Sequence, residues 1–169
     1  PASRATHRPD PGPTGRAPRP PADGQGSPKS ALRDAEPVGF IEGELTYNVK
    51  GEVSDGDYTI PIGVAEVKRA GEHVTLVSHS KSVAVALKAA EQLAAENISA
   101  EVVDLRTIRP LAVATFLAPA RKTHPCFAVV EGSLAAGLSA HVCDAHPREL
   151  SNCPDAPGPP CPAPQPARP

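Results

Sequence analysis

The stretch HVTLVSHSKSVAVALKAAEQLAAENISAEVVDL, His73 to Leu105, decides the fold. HVTLVSHS is a compact run whose Val74, Leu76 and Val77 read as a buried strand. Ser80 then fits a helix N-cap. The helix that follows, Lys81 to Asn97, carries Val83, Ala86, Leu87, Ala90 and Leu93 on one apolar stripe, with Lys81, Lys88, Glu91 and Glu96 mostly off it. Asn97 suits a left-handed C-cap, and AEVVDL, Ala100 to Leu105, reads as a second strand. A strand, a helix and a strand over this length form a crossover unit, which pairs its strands in parallel and is right-handed.

Outward from this unit the alternation continues. RTIRP, Arg106 to Pro110, reads as a loop, LAVATFLA from Leu111 opens a helix over 111–122, and FAVVE, Phe127 to Glu131, is a third strand. GSLAAGLSAHVCDA then gives a Gly-containing loop and a helix start. Upstream, VGFIE (Val38–Glu42) reads as a strand, and YTIPIGVAEVKRAG (Tyr58–Gly71) as an extended entry and a strand turning at Ala70–Gly71. The predicted class is α/β, a mostly parallel sheet with helices on both faces.

The flanks have another composition. Residues 1–37 hold nine of the 22 prolines and residues 145–169 nine more, leaving four between Val38 and Asp144. Such Pro-rich segments with few branched apolar residues bury too little surface to offset chain entropy, so both are expected to be disordered and to pack on nothing. Arg4, Arg8, Arg16 and Arg19 are the raw material of a mitochondrial presequence, but Asp10, Asp23 and the prolines spoil its amphipathic helix. The chain begins at proline and contains no methionine, so a start upstream of residue 1 is expected.

A formal charge of −2 and 3% aromatic residues give neither the basic excess nor the stacking platform of a nucleic-acid binder. No run reaches the roughly 18 apolar residues of a membrane span. Cys126, Cys143, Cys153 and Cys161 match no zinc spacing, and reduced thiols in a cytosolic-type compartment are the expected state.

Candidate chemistry is sparse. Ser78-His79-Ser80 lies at a strand's carboxyl end and a helix start, where open α/β sheets bind ligands and helix amides favour anions. The Gly-x-Ser-x-Gly turn of a nucleophile elbow is absent, and Ser80 as N-cap with His79 as a hydrogen-bonded loop residue is the simpler reading. Gly132 and Gly137 do not form a dinucleotide fingerprint. Arg106 and Arg109 are two guanidinium forks in one loop, suited either to clamping a carboxylate, phosphate or acidic partner or to structural salt bridges, with Asp104 available to either. Glu42, Glu44, Asp55 and Asp57 read as a solvated acidic patch. Ser80, Arg106 and Arg109 are thus the candidate partner or anion contacts, with no catalytic, cofactor-binding or metal residue assigned.

The segments IPIG, VTLVSHS, AEVVDLRTIRPL and VVEG carry a resemblance. In order and spacing they resemble the carboxyl-terminal, transketolase-like domain of the beta subunit in the thiamine-dependent first component of 2-oxo acid dehydrogenase complexes, pyruvate dehydrogenase being the nearest-looking type. The likeness covers 38–144 and is most specific over 60–110. VGFIEGELTYNV looks like the end of the preceding cofactor domain. The chain departs from the family pattern at Ala112, Pro119, His124-Pro125, Gly132-Ser133-Leu134 and His141. Beyond Asp144 only Asp155-Ala156-Pro157 looks familiar.

The resemblance implies a division into a flank at 1–37, a cofactor-domain remnant and linker at 38–57, an incomplete transketolase carboxyl-terminal-like domain at 58–144 and a tail at 145–169. It implies an assembly and docking domain in a complex that converts pyruvate to acetyl-CoA and CO2. The implied partners are an alpha subunit and a second beta subunit (α2β2) and the acyltransferase component. Thiamine diphosphate and Mg2+ would serve the full assembly, and this chain alone, without the cofactor domain, is expected to bind neither and to be inactive. A bacterial-type cytoplasm is the implied compartment, with the mitochondrial matrix as the alternative. A stand-alone interaction fragment or a decayed, pseudogene-like product is the competing reading.

Overall fold

The computed structural model describes residues 14–16, 21–44, 47–123, 125–131, 138 and 140–142. The tail 145–169, the Gly132–Gly137 loop, His124, Cys143, Cys153 and Cys161 lie outside the described residues. In chain order the elements are β1 (Thr14–Arg16), α1 (Pro21–Leu32), β2 (Val38–Phe40), β3 (Glu66–Arg69), β4 (Val74–Ser78), α2 (Ser82–Ala95), β5 (Ala100–Asp104), β6 (Thr107–Arg109), α3 (Val113–Thr123) and β7 (Cys126–Val129).

The main sheet runs β3-β5-β4-β7. β4 pairs in parallel with β5, Val74 opposite Ala100 through Ser78 opposite Asp104, and with β7, Leu76 opposite Phe127. β3 closes the other side antiparallel to β5, with Glu66 opposite Asp104. All residues of β4 and β5 are buried, as a central pair covered on both faces requires. One face packs Val74, Leu76, Ala100 and Val102 against Ala86 and Ala90 of α2. The other packs Val77 and Val103 against Phe116 and Leu117 of α3 and helical Val142. Strand alternation therefore assigns each helix its own face.

The crossover unit forms as its pattern predicts, with one correction. α2 starts from Lys81, which makes no side-chain cap, and Ser80 sits at φ +50. Ser80 contributes its backbone carbonyl, which accepts the Val83 amide at 3.2 Å, so it is a turn residue and not the N-cap. At the other end Asn97 is left-handed at φ +62. Its amide donates to Ala94 O and that of Ile98 to Leu93 O, the paired reverse bonds that close a helix, and Ile98 and Leu93 both pack on the α2-side core.

α3 persists although Pro119 lies inside it. Pro119, Phe116, Leu117 and Ala120 are all buried, so tertiary packing offsets the roughly 3 kcal/mol that an interior proline costs. Thr115 supplies tethering at the helix start: its hydroxyl donates to Ala112 O and accepts the Ala65 amide, each at 2.9 Å.

Two expectations need larger correction. RTIRP is not wholly loop, because Thr107–Arg109 is a strand, β6, in a second sheet ordered β2-β1-β6. The expectation that 1–37 lacks regular structure and packs on nothing fails over Thr14–Arg16 and Pro21–Leu32. β1 pairs in parallel with β2 and antiparallel with β6, and α1 docks on the body of the chain. Pro21 occupies the first helical position, where its missing amide costs least, and Asp23 complements the positive end of the helix. The Tyr58 hydroxyl donates to Ala22 O at 2.7 Å, the Ser30 hydroxyl to Ile60 O at 2.5 Å and the Ile60 amide to Gly26 O at 3.3 Å. A Cβ at Gly26 would stand 2.7 Å from the Tyr58 ring, so glycine permits the close approach. Among the described residues no helix is long and apolar enough to cross a membrane.

Candidate functional site at the strand ends

β4, β5 and β7 run parallel and finish side by side, so their carboxyl ends gather Ser78, Asp104 and Val129 in one row. The Ser78 hydroxyl donates to Val129 O at 2.7 Å, and the Leu105 amide donates to Ser78 O at 2.9 Å. Ser78 is thereby committed to joining three strand ends. Two residues beyond the row, Ser80 and Arg106 both adopt left-handed backbone, φ +50 and +52, which non-glycine residues rarely do. At Arg106 a local bond supports the turn: its amide donates to Asp104 Oδ1 at 3.0 Å.

The Arg106 turn aims the guanidinium at α1. Nε donates to Asp23 Oδ2 at 3.0 Å and Nη2 to Asp23 Oδ1 at 2.8 Å. Nη2 also meets Glu66 Oε2 of β3, which Lys68 shares, and Lys68 Nζ lies 3.9 Å from Asp23. Asp23 is 1% exposed, so the pair is desolvated and two-pronged, the form in which arginine binds carboxylate most specifically. Asp104 is also fully buried, and its Oδ2 has no hydrogen-bond partner. Burial pushes its pKa up to about 6 against the lowering effects of the Arg106 amide and of the Lys68 and Arg106 charges, while the Asp23 charge raises it further.

The sequence-chosen residues therefore separate. Arg106 is engaged inside the chain, and of its two expected roles the geometry is that of structural ion pairs; Asp104 serves it through the backbone amide, not the guanidinium. Ser80 stands at the mouth of α2, beside a Lys81–Glu131 pair at 2.5 Å that ties the helix start to the end of β7. Arg109 belongs to β6 of the second sheet, opposite Gly15, and so does not join Arg106 in one clamp. Asp23, Glu66 and Lys68 escaped the sequence reading. For Asp23 the signal would have been a helix in a segment whose proline content argued against one, while Glu66 and Lys68 lay in a run read only as a strand.

A parallel three-strand core, an antiparallel edge and one helix on each face make this a transketolase-like α/β domain. A solved split-gene transketolase, described as an inactive beta4 tetramer, superposes with a TM-score of 0.66 at 28% identity, covering 82% of this chain and 44% of that one. The family model for the transketolase C-terminal domain matches residues 63–165, and the chain belongs to that family. The match runs past Asp144 into the Pro-rich tail.

Curated relatives sharpen the likeness. The chain is 47% identical over 125 residues to the mitochondrial pyruvate dehydrogenase E1 component subunit beta of Drosophila melanogaster, 72% of this chain and 34% of that protein. It is 45% identical over 139 residues to subunit beta-1 of Arabidopsis thaliana, 80% of this chain and 38% of that protein. The 80% coverage exceeds what 38–144 alone provides, so the similarity extends into the flanks. The chain spans little more than a third of the length of these relatives.

The described residues do not fit a magnesium diphosphate cofactor. The cluster sets three carboxyls, the buried Asp23 and Asp104 and the partly exposed Glu66, against two cations, Lys68 and Arg106, which is the wrong balance for a polyanion. Among the described residues no group of His, Cys, Asp or Glu side chains is placed to hold a metal ion.

Proposed function

We propose that this chain serves as the carboxyl-terminal assembly and docking domain of a pyruvate dehydrogenase beta subunit. The observation that carries the reading is the 47% identity to such a subunit over 72% of this chain. The partners are an alpha subunit, a second beta subunit and the acyltransferase component. The assembled enzyme converts pyruvate to acetyl-CoA and CO2 with thiamine diphosphate and Mg2+, and the chain by itself contributes surface and stability to that assembly. Ser80 and Arg109 are the candidate contacts to partners; the Arg106 guanidinium pairs with Asp23 and Glu66 within the chain. The mitochondrial relatives favour the matrix over a bacterial-type cytoplasm.

Thermal melts of the full chain, alone and with purified alpha subunit, test the reading, because a partner that binds only the folded state raises its stability. A transition that rises with alpha-subunit concentration is expected. Calorimetric titration with thiamine diphosphate and Mg2+ should give no micromolar binding to the chain alone. A melt indifferent to the alpha subunit, together with micromolar cofactor binding, would point to a self-contained cofactor protein instead.

A further inference from the structure

The cluster that fastens α1 to the sheet sets two buried carboxyl groups and a partly exposed one against two cations. Arg106 and Lys68 face Asp23 from α1, Glu66 from β3 and Asp104 from β5. On the β4 side Asp104's register partner is the uncharged Ser78, and the titratable residue after it is His79. Glu66 is the solvent-reaching member, its side chain 37% exposed, whereas Asp23 and Asp104 are fully buried, so a charge left without a bonded partner on either of those two is the costly one. Asp104 is the member whose second oxygen is buried without a hydrogen-bond partner, while both oxygens of Asp23 are engaged by Arg106. The unpartnered buried charge is therefore relieved most directly by a proton on Asp104.

We infer that Asp104, Arg106 and Asp23 form a proton-operated latch that sets how tightly α1 docks on the carboxyl end of β5 and the start of β3. A solvent proton bound at Asp104 Oδ2 neutralises that carboxyl and leaves the Arg106 guanidinium to Asp23 and Glu66. When the proton leaves, the Asp104 carboxylate competes for the same cation and repels Asp23. The coupling is reciprocal: whatever raises the proton affinity of Asp104 in the docked state must be favoured by that proton in turn. Burial has this effect most strongly and the Asp23 charge adds to it, and Asp23 arrives only with α1. Docking is then strongest below the ordinary carboxylate range, near pH 4, and weakens as pH rises through about 6. A shift of this size limits the change in the docking equilibrium to about 100-fold.

The test is hydrogen exchange of the full chain from pH 5 to pH 8, corrected for the intrinsic pH dependence of exchange, with α1 amides referred to those of β4 and β5. Protection of Pro21–Leu32 should fall severalfold, at most about tenfold, across this range, while the β4–β5 amides, which open only with the whole chain, stay the more protected at every pH. Asp104→Asn, which keeps the acceptor for the Arg106 amide, should leave α1 protected with no pH slope. Asp23→Asn should lower α1 protection throughout and flatten its slope, so the inference remains testable should one variant fold poorly. A wild-type slope absent, or unchanged in Asp104→Asn or Asp23→Asn, would overturn it.

Discussion

Arg106 grips Asp23, 83 residues earlier in the chain, through two nitrogens at 2.8 and 3.0 Å, and this bond joins the amino-terminal flank to the sheet. Truncating Arg106 leaves the buried Asp23 with only Lys68 at 3.9 Å, and truncating Asp23 leaves Arg106 with Glu66 alone, so each change should cost up to about 3–5 kcal/mol. Asp23→Ala and Arg106→Ala should each lower the urea midpoint substantially, and the double variant should cost clearly less than the sum of the two. Additive effects would show that the pair is not energetically coupled.

Gly71 lies against the peptide joining Ala100 to Glu101 so closely that a Cβ would overlap the Ala100 carbonyl carbon and the Glu101 nitrogen. The neighbouring backbone is locked as well, since the Glu72 and His73 amides both donate to Ser99 O. Gly71→Ala should therefore destabilise by about 1–3 kcal/mol, the cost of forcing a methyl into packed structure. Urea denaturation reads the change, and a midpoint within error of the wild type would contradict the close approach.

Asp104 governs the pH dependence of global stability. Its pKa is raised to about 6 in the folded chain, so the folded state holds the proton more tightly than the unfolded one. The resulting stabilisation is complete below the ordinary carboxylate pKa and is lost as pH rises through about 6, a change of roughly 3 kcal/mol. Asp104→Asn should be more stable than wild type at pH 7, with the difference closing toward pH 4. Denaturant midpoints of both proteins across this range check the sign; a variant equally destabilised at both pH values would show that the ionised carboxylate is welcome in the cluster.

The central crossover was legible because hydrophobic periodicity and turn chemistry agree there. Val74, Leu76, Val102 and the α2 stripe repeat at the spacings their elements require, and Asn97 is a residue that tolerates left-handed backbone. α1 was illegible because its stripe is not apolar. Its buried residues are Asp23, Gly26 and Ser27; Asp23 is held by Arg106 83 positions away and the Gly26 carbonyl by the Ile60 amide at 3.3 Å, contacts which no local pattern announces. β6 was missed for a related reason: three residues become a strand only because β1 pairs with them. Ser80 has the composition of a cap but a backbone angle that spends it on a turn. Arg106 was visible as a charge at a strand end, but its partner lay in the flank set aside as unstructured.

Association with an alpha subunit tests most directly whether this chain is an assembly domain. Sedimentation velocity of the full chain mixed with a purified pyruvate dehydrogenase alpha subunit from one of the similar species is the decisive measurement. The expected result is a new, faster boundary containing both chains and absent from either alone. Two boundaries that sediment as the separate proteins at every ratio, with the chain folded by circular dichroism, would contradict it.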